Sequence, residues 1–168
     1  MAATASGIFS LFLSNAETLL ANSSNFQTWT GTASVAAAKT RISLVEIDSG
    51  YTRPYALIRF EQSGGWSVDA IAGGSDVSWS AELVDLEIVF EATVSGDNDE
   101  DYAITFLNNI GAIVEDMKVL AGTDAYLAAQ SFYIAENLKR IEQAQQTSGS
   151  AEDFLQIVIG LSVNATGF

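Results

Sequence analysis

The chain has no cysteine, no histidine, one proline and only seven Lys and Arg among 168 residues. Without cysteine there are no disulfides and no thiolate metal sites. Without histidine, acid–base catalysis through an imidazole is excluded. Nucleophilic catalysis would need a Ser–Lys or Ser–carboxylate arrangement, and the sequence carries no signature of one. The few cations face 21 Asp and Glu, a formal net charge of −14. A field of that sign repels phosphate backbones and argues against gripping nucleic acid by counterion release. Long apolar runs are also missing. The first, "IFSLFL", is broken by Ser10, is followed by Ser14 and has no Lys or Arg before it. That favours an amphipathic first helix over a signal peptide. Nothing approaches the ~20 apolar residues of a membrane span, so a soluble chain without a membrane partner is expected.

Hydrophobic residues make up 48% and charged residues 17%, enough for a single domain over 1–168 with a real core. Ile8, Phe12, Ala16 and Leu19 recur at helical spacing, and "NSSN" at 22–25 ends that helix. "FQTWTGTASVAAAK" suits a short second helix. "RISLVEI" (41–47) and "YALIRF" (55–60) read as strands. Residues 61–80, with two Gly-Gly pairs, Trp66 and Trp79, read as a long loop or a loose hairpin. The clearest period of two follows. Val84, Leu86, Ile88, Phe90, Ala92 and Val94 share one face, and Asp85, Glu87 and Glu91 share the other. One buried and one wetted face predict an antiparallel sheet.

The main helix is expected at about 99–121. Tyr102, Phe106, Ile110, Ile113, Met117 and Leu120 form its core stripe. Ile104, Leu107, Gly111 and Val114 form a second stripe, which predicts that more than half of the helix is covered. Residues 125–146 fit a helix or a strand. The strand is preferred, because 128–142 can then pair as a hairpin with the terminal strand at 154–165. The predicted class is α+β: a mostly antiparallel sheet with helices packed on one face.

Most motifs fail on inspection. Asp97, Asp99 and Asp101 match the opening of a calcium loop, but Tyr102 and Asn108 stand where its glycine and closing acid belong. Acids there suit the positive end of a helix instead. Neither Gly-Gly pair leads into Lys-Ser or Lys-Thr, so phosphate cradling has no support. "NSS" and "NAT" match the glycosylation acceptor pattern without a secretory context. Asp85, Glu87 and Glu91 could be cast as catalytic carboxylates, but alternating acids commonly solvate a strand face. Lys39, Arg41, Arg53 and Arg59 gather four of the seven cations within 21 residues, read as a patch for an acidic partner surface. No enzyme, metal or cofactor is expected.

The order of elements resembles the tail terminators and tail-completion proteins of tailed bacteriophages. The likeness spans "IFSLFLSNAETLL", "RISLVEI", "YALIRF", "LVDLEIVFEATV", "YAITFLNNIGAIVEDMKVL" and the closing "FLQIVIGLSVNA". It lies in layout and texture, since such families have no diagnostic motif. It implies a virion structural protein at the head–tail neck, assembled in the bacterial host cytoplasm as a ring of six. The implied partners are its own copies, the tail tube protein and the head connector or another neck protein, with DNA passing through without specific binding. Other readings are another connector piece, namely a head-completion or tail-tube subunit, and a monomeric bacterial binding domain or hydrolase. On the ring reading, Trp66, Trp79, Leu161, Val163 and Phe168 are the candidate interface residues, and Asp85, Glu87 and Glu91 the candidate lumen-facing acids. The terminal strand is expected to take one edge partner from its own chain and to leave the other edge for a neighbouring subunit, in preference to the alternative of a central strand buried on both faces within one chain.

Overall fold

The computed structural model describes residues 5–44, 52–60, 67–73, 76–93, 99–123, 133–146 and 154–165. Helix α1 (Ala5–Asn22) breaks at Ser23, whose side chain caps α2 (Ser24–Thr30) by accepting from the Phe26 N–H at 3.0 Å. Gly31 closes α2 in the left-handed region at φ 67°, a conformation that strains any residue with a Cβ. Ser34 caps α3 (Val35–Lys39) in the same manner as Ser23, through the Ala37 N–H. The small-residue segment thus forms two short capped helices where one was expected.

Six strands follow: β1 (Ile42–Leu44), β2 (Tyr55–Phe60), β3 (Ser67–Gly73), β4 (Asp76–Thr93), β5 (Tyr133–Gln146) and β6 (Phe154–Ala165). Helix α4 (Asp99–Thr123) lies between β4 and β5 in the chain. The sheet runs β1-β2-β4-β6-β5, with β3 also on β4, and every pairing is antiparallel except β1 with β2. The glycine-rich 61–80 stretch is a hairpin in its described part, because β3 pairs with β4 from Ser67 to Gly73. Residues 133–146 are a strand paired with β6, as the hairpin reading required.

The core forms where the helices meet one face of this sheet. Leu86, Ile88, Phe90 and Ala92 of β4 join Leu155, Ile157 and Ile159 of β6. Over them lie Phe106, Ile110, Ile113 and Met117 of α4 and Leu13, Ala16, Leu19 and Leu20 of α1. Trp29 links the layers, with ring centroids 5.9 Å from both Phe26 and Phe90 and 6.1 Å from Phe106. At the far end of α4, the Asp116 carboxylate accepts from the Ser23 hydroxyl at 2.8 Å and the Asn25 N–H at 3.0 Å. This carboxylate fixes the α1–α2 junction against α4. Among the described residues, no helix is long and apolar enough to cross a membrane.

Two expectations fail here. The second stripe of α4 is covered only at Val114, which packs against the core; Ile104 is 51% exposed and Leu107 39%. The core stripe fills most of the space over the sheet, and at 100° per residue positions 104 and 107 point away from it. The terminal strand, moreover, offers no edge to a neighbour. β6 lies between β4 and β5, with Leu161 opposite Leu86 and Leu138, and Val163 opposite Val84 and Ile134. Its long apolar run reflects a central position within one chain.

Candidate functional site

The face of the sheet away from the helices holds a buried ionic centre. Along β4, side chains alternate, so Glu87, Val89 and Glu91 point opposite to Leu86, Ile88 and Phe90. Glu87 and Glu91 are only 5% and 4% exposed. They do not form a wetted face, and they are not lumen-facing acids. Strand register explains the burial: Arg59 stands opposite Glu87, and Tyr55 opposite Glu91. The Arg59 Nε donates to Glu87 Oε2 at 2.9 Å. The Arg53 Nε donates to Glu91 Oε1, and Gln156 Nε2 donates to Glu91 Oε2 at 3.4 Å. The Arg53 guanidinium also stacks 4.5 Å from the centre of the Phe154 ring. Asp85 sits on β4 opposite Ser162; its side chain lies outside the described residues.

The Tyr55 hydroxyl donates to the same Glu91 carboxylate. Burial first, then this hydrogen bond and the Glu91 charge, push its pKa far above the usual phenol range, against a smaller opposing effect of Arg53. Tyr55 therefore remains a neutral donor at any physiological pH. With both Glu91 oxygens accepting from donors, this carboxylate acts as a counter-ion, and the cluster has the character of an internal anchor.

The same pairs revise the reading of the cation patch. Arg53 and Arg59 neutralise acids of their own chain, Lys39 Nζ lies 3.2 Å from Glu17, and Arg41 donates to the Thr52 carbonyl at 2.8 Å. Arg53 and Arg59 lie close in sequence because β2 and its approach run beside acidic β4, while Lys39 and Arg41 are held by Glu17 of α1 and by the Thr52 carbonyl.

Beside this anchor, a groove of about 260 Å³ opens between α2, α4 and the end of β4, lined by Trp29, Arg53, Pro54, Tyr102, Thr105 and Asn109 among others. Its walls are aromatic and its rim carries hydroxyl and amide groups. The Arg53–Pro54 peptide bond, at the groove's edge, is cis.

Of the interface candidates, Leu161 and Val163 lie on central β6, and Trp79 lies on β4 opposite Ala70 rather than in a loop. Trp66 and Phe168 fall outside the described residues. Asp99 and Asp101 occupy the first turn of α4, and Asp97 falls outside the described residues. Among the described residues, no three His, Cys, Asp or Glu side chains come together as metal ligands would. Comparison with protein-family models and with curated proteins finds no match for this chain.

Proposed function

We propose that this chain is a structural protein of a tailed-bacteriophage virion that assembles as a ring, with six copies the expected number, at the head–tail junction. There it ends the tail tube and joins it to the head connector. The observation that carries the reading is the outer face of α4. Leu107 and Ile104 stand exposed one and two turns before Gly111, a glycine in mid-helix whose missing Cβ would meet open space. A mid-helix glycine costs about 0.5–1 kcal/mol relative to alanine, and nothing within the described fold requires one. Large apolar side chains flanking a point of close backbone approach suit a helix that another chain covers.

The charge supports the passage of DNA. Six copies at −14 carry roughly −84, a field that repels a polyanion instead of holding it. The acids that supply it to a lumen must be others than Glu87 and Glu91, which are ion-paired and buried.

A second reading, a monomeric binding domain, is favoured by the groove beside Trp29 and Tyr102. Mass measurement in solution across a range of concentrations separates the two. A ring subunit forms a closed oligomer or binds tube protein, whereas a protein that stays monomeric and ignores tail tubes overturns the proposal.

A further inference from the structure

We infer that the outer edge of β3 in one copy of the chain pairs with the outer edge of β5 in the next, so that the sheet continues from subunit to subunit. This inference rests on the ring reading above. β6 holds one edge of β4 as far as Ala81, and Ala81 also pairs with Val68, so β3 occupies the other edge. The free edges of β3 and β5 are therefore at opposite sides of a single sheet. Among the described residues, no strand pairs with either.

The β3–β4 arm needs a third strand. Beyond Ala81, β4 pairs among the described residues with β3 alone, as a ribbon from Asp69–Gly73 to Asp76–Ser80. Two-stranded ribbons are marginal on their own in water, and an added strand is the usual remedy. The directions also suit it. β3 is antiparallel to β4, and β5, two antiparallel steps away, is parallel to β4. A neighbour related by rotation thus brings its β3 antiparallel to β5. Joining two different edges is a heterologous contact, which runs from copy to copy and closes into a ring where the rotation between copies permits.

Charge selects this pairing over others. Two copies of a −14 chain repel unless acid meets base. Residues 67–85 carry Asp69, Asp76, Glu82 and Asp85 and no cation, whereas β5 carries Lys139 and Arg140 against Glu136 and Glu142. The stagger is of the right size. From one β3 to the next is four strand spacings, about 19 Å, and strands tilted about 35–45° shift by about four to six residues over that width. Asp69 is level with Ser80; allowing for the bulge of β4 between Ala81 and Val84, six ladder positions on is Glu87, which is level with Gly160 and then Arg140, next to Lys139. The larger shift, in that sense, brings Asp69 beside Arg140 and Lys139. The register shifts of β5 on either side of Leu138 and its Lys139 discourage indiscriminate edge pairing, which leaves an acidic strand as the suitable guest.

The absence of native cysteine makes the test clean. The full chain carries Ala70→Cys together with one of Ile134→Cys, Leu138→Cys or Glu142→Cys, is oxidised as assembled, and is run without reductant. A link within one chain is excluded, because three strand spacings, about 14 Å, exceed the reach of a disulfide. The expected result is a ladder of covalent multimers for at least one pair, strongest with Leu138→Cys, and none for the single-cysteine controls. Rings confirmed by mass but without a ladder for any pair overturn this pairing and leave the ring reading standing. Dimers from the β5 cysteine alone show that β5 pairs with itself and overturn it too. A protein monomeric at every concentration overturns the ring reading, and this inference with it. As an independent measurement, Asp69→Lys and Lys139→Glu each raise the concentration needed for assembly about tenfold, and the two together return it to within about threefold of the starting value. A combination no better than its parts counts against the contact.

Discussion

The two faces of β4 obey one rule of alternation and reach opposite chemistries. Towards the helices, Leu86, Ile88, Phe90 and Ala92 are buried among apolar neighbours. Away from them, Glu87, Val89 and Glu91 are buried as well, and the acids carry Arg59 and Arg53 with them. A period of two in the sequence assigns residues to faces; it does not decide whether the polar face meets water. That depends on whether each charge finds a partner, and partners come from neighbouring strands through the register.

The largest effect is expected on the helix face. Phe106→Ala removes a ring that meets Trp29 and covers the sheet, and should lower stability by about 3–5 kcal/mol in urea denaturation. A variant that melts like the parent would show that α4 does not depend on this contact. The other face is tested next. Arg59→Ala removes the guanidinium that donates to buried Glu87 and should cost about 2–3 kcal/mol, below the range for fully buried pairs because Arg59 is partly exposed. Exchanging both partners for apolar residues, Arg59→Met with Glu87→Leu, should recover most of that loss. If the double exchange is as damaging as the single one, the pair contributes more than mutual neutralisation.

What was legible in the sequence follows the same division. The apolar stripe of β4, the core stripe of α4 and the hairpin of β5 with β6 all rest on local periodicity or sequence adjacency, and the fold keeps them. The ionic centre was not legible in that way, because it depends on which strand lies beside β4. Arg59 and Glu87 are 28 residues apart, and only the pairing of β2 with β4 brings them face to face. One signal was present: sliding "YALIRF" antiparallel against "LEIVFE" sets Arg59 opposite Glu87 while keeping Ile58 opposite Ile88. The central place of β6 was hidden for a similar reason. An apolar strand buried on both faces and one awaiting a partner look alike until the neighbour on each edge is known.

A smaller effect is expected from Asp116, a carboxylate outside both faces of the sheet. Burial raises its pKa, but the donors of Ser23, Ser24 and Asn25 outweigh that and hold it below the ordinary aspartate value of 3.8. A folded-state pKa below the unfolded one adds stability that is fully present above the unfolded value and is lost as pH falls through the folded one. Asp116→Asn should therefore cost about 1–2 kcal/mol at neutral pH and flatten the decline of stability below about pH 4. An acid limb unchanged by the substitution would assign that decline to other carboxylates.

The smallest effect separates folding from assembly. Gly111 is exposed in the middle of α4, and a methyl group there meets nothing within 4 Å. Gly111→Ala should raise the stability of the single chain by about 0.5–1 kcal/mol through helix propensity alone. If another chain approaches closely over this turn, between Ile104, Leu107 and Glu115, the same methyl group obstructs it and weakens ring formation. Opposite signs in melting temperature and in assembly would mark this face as a contact surface. A gain in stability with assembly unchanged would mean that the ring is held elsewhere on the molecule, and a loss of stability would show that the glycine has a role within its own chain.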